Sequence, residues 1–191
     1  MNSEIIVVSG LPRSGTSLMM QMLAQGGVEV LTDEIREADT DNPRGYLELE
    51  KVKKIKQDAS WLPEARGRAF KMISQLLYDL PASETYRIIF MQRDLDEVLA
   101  SQEKMLARLG RPAAPRDEIK RSYRMHVARL ADWLPRQPNF QTLFVNYNNL
   151  VRQTAEEIQR LDTFLKCSLD KAGMLRAVDP TLYRNKSPAS S

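Results

Sequence analysis

Apolar residues along the chain alternate between short β-branched runs and longer stretches at helical spacing. Ile5 to Ser9 is a near-continuous apolar run and reads as a buried strand. Thr16 to Gln25 then puts Leu18, Met19, Met22 and Leu23 on one face of a helix, with Gly26-Gly27 as its stop. Val28 to Leu31 is a candidate second strand, and Ala69 to Ile73 and Arg87 to Gln92 are further ones. The helix expected from Leu95 to Leu109 is punctuated at both ends. Asp94 caps it, Glu97 follows in the first turn, and Gly110 with Pro112 ends it. Ile119, Tyr123, Val127, Leu130 and Leu134 trace one stripe of the next helix. Thr142 to Tyr147 reads as a strand, and Thr154 with Glu157 forms a capping box that opens a last helix through Leu165. Strands alternating with helices predict a parallel sheet covered on both faces. In such sheets a ligand sits at the C-terminal ends of the strands.

Composition narrows the class. A length of 191 residues suits one domain, drawn here as 1–186, with a disordered tail over 187–191. The formal charge of +3 is too small to argue for DNA or RNA, yet suits a ligand carrying several phosphate or sulfate groups. The single Cys167 excludes an internal disulfide framework and fits a reducing compartment. The run Ile5-Ile6-Val7-Val8 is too short for a signal peptide or a membrane span. The chain therefore reads as soluble and cytoplasmic, with no nucleic acid or membrane partner.

The chemistry begins directly after the first strand, at Gly10-Leu11-Pro12-Arg13-Ser14-Gly15-Thr16-Ser17. This is the spacing of a phosphate-binding loop between a strand and a helix, whose backbone N–H groups and helix N-terminus converge on an anion. A nucleotide hydrolase places Lys after the second glycine, where it reaches the terminal phosphates. Here Thr16 stands there, and the nearest cation is Arg13. No apolar strand ends in an evident Mg²⁺-binding Asp, so Mg-ATP hydrolysis is disfavoured.

Leu11-Pro12-Arg13-Ser14-Gly15-Thr16-Ser17-Leu18 resembles the 5′-phosphosulfate-binding loop of sulfotransferases, nearest to the Pro-Arg-Ser-Gly-Thr of the tyrosylprotein and bacterial branches. The resemblance implies an α/β, three-layer P-loop fold of the nucleotide triphosphate hydrolase type, with a central parallel sheet and helices on both faces. It implies 3′-phosphoadenosine 5′-phosphosulfate (PAPS) as donor, its bisphosphate PAP as product, and no required metal. Arg13, Ser14, Gly15, Thr16 and Ser17 would bind the donor. Sulfotransferases hold the 3′-phosphate with an Arg at a strand end and a Ser eight residues on, which here are Arg93 and Ser101. Eight residues are about two helical turns, so one face can carry both, although Arg93 can also pair with Asp96 or Glu97.

On the acceptor side, Asp33, Glu34, Glu37, Asp39 and Asp41 form an acidic stretch. The ungapped resemblance to the tyrosylprotein branch carries the catalytic base onto Glu34, with Asp33 next, and Arg13 acts at the leaving phosphate. Other sulfotransferases use His, but His126 lies on the Ile119–Leu134 stripe and reads as a packed residue. Asp41 to Glu48 reads as a turn followed by a helix start, where Tyr46 and Glu48 either line the acceptor pocket or fix the loop. Lys51, Lys53, Lys54 and Lys56 read as a solvated helix face, Trp61 and Trp133 as packing anchors, and the nine Met residues as core filler. The likeness covers Ile5 to Ser101. The Lys-Gly-x-x-Gly-type lid of cytosolic sulfotransferases has no counterpart motif here, and Leu182-Tyr183-Arg184-Asn185-Lys186 is the one basic tail segment that could substitute for it. The expected activity is sulfo transfer to a small-molecule or peptide acceptor. The rivals are a P-loop nucleotide-binding protein without transfer activity and a small P-loop kinase.

Overall fold

The run from Ile5 to Gly10 forms strand β1, and all six of its residues are buried. A strand covered on both faces must be apolar throughout rather than alternating, and this is the pattern its sequence carries. In the computed structural model, which describes residues 3–33 and 45–179, β1 lies inside a four-stranded parallel sheet. The other strands are β2 (Ala69–Ile73), β3 (Tyr86–Gln92) and β4 (Phe140–Asn146), in the order β2-β1-β3-β4. Gly10 stands opposite Ile73 on one side and Met91 on the other, so three strands end together beneath the phosphate loop.

Helices cover both faces, as the alternation of patterns predicts. On one face Ile6, Val8, Ala69, Ile89 and Met91 pack under α1 (Thr16–Gln25), α5 (Thr154–Leu165) and α6 (Lys171–Ala177). Helix α1 contributes Met19, Met20, Met22 and Leu23, all fully buried. On the other face Ile5, Val7, Phe70, Met72, Ile88 and Phe90 pack under 3-10 turns at Glu50–Lys54, Leu62–Ala65 and Ser74–Asp79 and under the end of α3 (Arg116–Trp133). Trp61 anchors this side edge-on to Phe70, and Trp133 packs against Tyr78 and Phe140, as expected of packing residues. Helix α2 (Leu95–Arg108) opens where the sequence predicts, because the Asp94 carboxylate accepts the N–H groups of Asp96 and Glu97. No helix among the described residues is long and apolar enough to cross a membrane.

Several local expectations change. Val28 to Leu31 is not a strand but one bridge, Val30 to Ala69. Its backbone hydrogen bonds to the sheet use Ala69, which donates to Glu29 and accepts from Leu31, because β2 only begins there. Tyr147 leaves β4 and instead starts a short helix, α4 (Tyr147–Arg152), since the Asn146 side chain accepts the N–H groups of Asn148 and Asn149. The Thr154–Glu157 capping box does not form. Thr154 is already helical and donates to the Leu150 carbonyl, while Glu157 pairs with Arg160. The helix start expected by Glu48 is a 3-10 turn from Glu50, and its lysines face solvent as predicted. Residues 34–44 and the tail from 180, including the 182–186 segment, lie outside the described residues.

Candidate active site

The phosphate loop turns tightly because two glycines permit it. Gly15 has φ of 102°, and a Cβ there would lie 2.3 Å from the Tyr147 ring. At Gly10 a Cβ would lie 2.5 Å from Ser14 Oγ and 2.7 Å from the Met91 carbonyl. Between them Arg13 itself adopts φ of 69°, a left-handed conformation that costs a non-glycine residue roughly 1–3 kcal/mol and marks sites where geometry is imposed for function. The loop leads into α1, whose N-terminus carries no side-chain cap and no acidic residue in its first turn. Ser14 Oγ is buried without a hydrogen-bond partner among the described residues. An orphaned hydroxyl, an uncapped helix start and a glycine-shaped cradle together fit a bound anion.

The structure brings Arg13, Arg93 and Ser101 together, but in a relay rather than as a direct Arg93–Ser101 pair. Arg13 Nε donates to Ser101 Oγ at 3.0 Å. Arg93 Nη1 donates to the Arg13 carbonyl at 3.3 Å. Arg93 Nε donates to the Glu97 carboxylate at 2.9 Å, the ion pair that the sequence offers as an alternative. This pair is deeply buried, with side chains 8% and 2% exposed. The other Glu97 oxygen accepts from Asn148 at 3.2 Å, and the Arg93 guanidinium lies 4.3 Å from the centre of the Tyr147 ring. Burial, with the Glu97 charge, pushes the Tyr147 hydroxyl above its usual range against the pull of Arg93 and Arg13. Tyr147 therefore stays a neutral aromatic lid on both the loop and Arg93.

A second cation reaches the loop from outside the motif. Lys71, in the middle of β2, donates through Nζ to Ser17 Oγ at 3.0 Å. The Glu48 carboxylate lies 3.6 Å from the same ammonium, and the Tyr46 ring centre lies 5.6 Å from it. Sequence reasoning missed Lys71. Its one signal is a charged residue inside the otherwise apolar strand Ala69-Phe70-Lys71-Met72-Ile73, which demands a partner. Tyr46 and Glu48 thus line the cation side of the loop, and the Tyr46 carbonyl also accepts from Ser17 Oγ at 3.5 Å.

The expected bases separate. Glu34 lies outside the described residues. The Asp33 carboxylate accepts the backbone N–H of Glu50 and caps the 3-10 turn there, while Asp33 N–H bonds the Glu48 carbonyl. His126 is half-buried on α3 with Nε2 2.9 Å from Ser74 Oγ. Burial and the nearby Arg129 hold its pKa below the usual histidine range.

Residues 3–187 match the model of the sulfotransferase domain family. The search of curated proteins returns no match. Among solved structures, the fold resembles the sulfotransferase domain from the curacin biosynthetic pathway, at a TM-score of 0.54 and 14% identity, covering 92% of this chain and 78% of that one. It resembles mouse sulfotransferase SULT7A1 complexed with PAP at 0.55 and 14%, covering 93% of this chain and 63% of that one. It also resembles a sulfotransferase from Alicyclobacillus acidocaldarius at 0.52 and 14%, covering 96% and 97% of the two chains. At these identities the structural likeness speaks for the fold, and the family match speaks for membership.

Proposed function

Because this chain belongs to the sulfotransferase domain family, we propose that it moves a sulfo group from PAPS to an acceptor hydroxyl or amine by in-line transfer. The donor, when bound, supplies an activated sulfo group on a phosphate leaving group. The amides of Gly15 to Ser17, the N-terminus of α1 and the orphaned Ser14 hydroxyl would hold the 5′-phosphosulfate end. Arg93 and Ser101 are assigned to the 3′-phosphate, with Arg13 bridging them and the 5′ end. Arg13 and Lys71 would then supply positive charge where negative charge develops on the leaving oxygen, and they are prepositioned for it by Ser101, Ser17 and Glu48.

The proton acceptor is assigned to Glu34 on the ungapped likeness from the loop onward. Engagement of Asp33 in the Glu50 turn favours Glu34 over its neighbour. The observation that carries the reading is Lys71. A loop without lysine after its second glycine nonetheless receives two cations, one from within and one from the neighbouring strand.

The test is thermal. Adenosine 3′,5′-bisphosphate without Mg²⁺ should raise Tm, with ligand at about a hundred times Kd adding roughly 2.7 kcal/mol of stability. ATP should do so far less. Stabilisation by Mg-ATP alone would favour a P-loop kinase and sink the sulfotransferase reading. Tight bisphosphate binding with no transfer to phenols, sugars or amines would leave a nucleotide-binding protein without transfer activity.

A further inference from the structure

Level with the start of the phosphate loop, the sheet carries one row of residues: Ile73 on β2, Gly10 on β1 and Met91 on β3. Gly10 leaves a gap in this row and the loop folds into it, since a Cβ at Gly10 would lie 2.5 Å from Ser14 Oγ. The two flanks of the gap differ. On the β3 side Met91 is buried, and so are Tyr147, Ser101 and the Arg93–Glu97 pair beyond it. On the β2 side Ile73 is 47% exposed. The loop is open toward β2.

Alternation along β2 fixes where Ile73 points. Phe70 and Met72 belong to the core under the 3-10 turns, and the following Ser74 is buried as well. Ala69 belongs to the core under α1, so Lys71 and Ile73 share the α1 face with it. Ile73 keeps an extended backbone, with φ of −70° and ψ of 148°, and the alternation therefore runs through it. Lys71 Nζ donates to Ser17 at the far end of the loop. Ile73 stands two residues on, about 6.6 Å further along the same face, and one strand spacing, roughly 4.8 Å, from Gly10. It is thus placed by both ends of the loop. Single exposed apolar residues are ordinary on a protein surface. Of the five large ones exposed among the described residues, Tyr78, Leu109, Met125 and Leu175 stand on helical turns or at their ends, and Ile73 alone stands on a strand. Hydrocarbon beside converging amides and an ammonium is the make-up of a ligand pocket.

We propose that the acceptor approaches the loop from the β2 side and lays an apolar body against Ile73, which makes Ile73 a specificity residue. The acceptor is then a hydrophobic alcohol or phenol rather than a sugar. This rests on the sulfo-transfer reading above, to which it adds the side of approach and the chemical class of the acceptor.

The test uses the full chain and two neutral phenols: 2-naphthol, whose body is hydrocarbon, and arbutin, whose body is glucose. Equilibrium dialysis reads both affinities, and 2-naphthol should bind the tighter. Ile73→Asn should weaken 2-naphthol roughly three- to tenfold, the worth of half-burying an isoleucine, and should leave arbutin, adenosine 3′,5′-bisphosphate and Tm unchanged. Ile73→Val should keep most of the 2-naphthol affinity. Leu175→Asn, equally exposed on α6 beside the C-terminal end of α1, should change none of these. In turnover with PAPS, Ile73→Asn should raise KM for 2-naphthol more than it lowers kcat. Arbutin binding as tightly as 2-naphthol would overturn the proposal, as would 2-naphthol affinity that Ile73→Asn leaves alone. An equal loss of both phenols would overturn it too, because Ile73 would then shape the site without selecting for hydrocarbon. If 2-naphthol binds through Ile73 and the bisphosphate does not bind, the donor assignment fails and the apolar wall stands. If the bisphosphate binds and Ile73→Asn is silent, the donor assignment stands and this proposal fails.

Discussion

Lys71 has an ammonium whose side chain is only 9% exposed, and an isolated charge so placed would be costly. Glu48 at 3.6 Å and Ser17 at 3.0 Å offset that cost and aim the charge at the phosphate loop. Lys71→Met keeps the length and removes the charge. It should lower kcat for sulfo transfer by about 10²–10³, the usual worth of one electrostatic stabiliser in a transition state. Steady-state kinetics with any accepted phenol would check this, and unchanged turnover with a lowered Tm would make Lys71 purely structural. The residue was hard to read in advance for a physical reason. Its partner is 54 positions away, and only the pairing of β1 with β2 brings the two together. The loop residues from Arg13 to Ser17 were legible because their signal is contiguous: a strand, two glycines and a helix start.

Between elements, the critical contact is Arg93 with Glu97. It ties the end of β3 to the first turn of α2, and through Asn148 and Tyr147 to α4. Removing one member of so buried a pair leaves an unmatched charge, which costs about 3–5 kcal/mol. Arg93→Ala should therefore lower Tm as well as weaken adenosine 3′,5′-bisphosphate. Adding Glu97→Gln should recover much of the Tm and none of the affinity. If the double variant regains both, Arg93 acts through packing and does not touch the ligand. Helix α2 was readable from Asp94 and Gly110, which are local punctuation. Helix α4 was not, because Asn146 ends a strand and caps a helix at once, and its neighbours Phe144 and Val145 look like more strand. The Arg93–Ser101 spacing was legible too. That Arg13 takes the contact with Ser101 depends on Glu97 and Tyr147 holding Arg93 aside, and side-chain packing of that kind leaves no periodic trace.

For the molecule as a whole, pH is the accessible variable. The folded-state pKa of His126 lies below its unfolded value of about 6.5, so the unfolded chain takes up this proton first. Its contribution to stability is complete above about pH 6.5 and is lost as pH falls toward the folded-state pKa. Thermal melts from pH 7.5 to 5.5 should thus show Tm falling more steeply in the wild type than in His126→Gln. Parallel curves would assign the drop to other groups. The lowered carboxylates Asp58, Asp96 and Asp162 do not interfere, since carboxylates titrate near pH 4 and below.

Helix α1 holds the loop in place with three thioethers, Met19, Met20 and Met22, and none of them meets solvent. Methionine sulfur is open to peroxide only when it is reached, whereas Met125, half exposed on α3, is reachable at once. Hydrogen peroxide therefore reads this protein as a clock. The first sulfoxide reports the surface, and the delay before the α1 methionines react measures how seldom the seat of the phosphate loop opens.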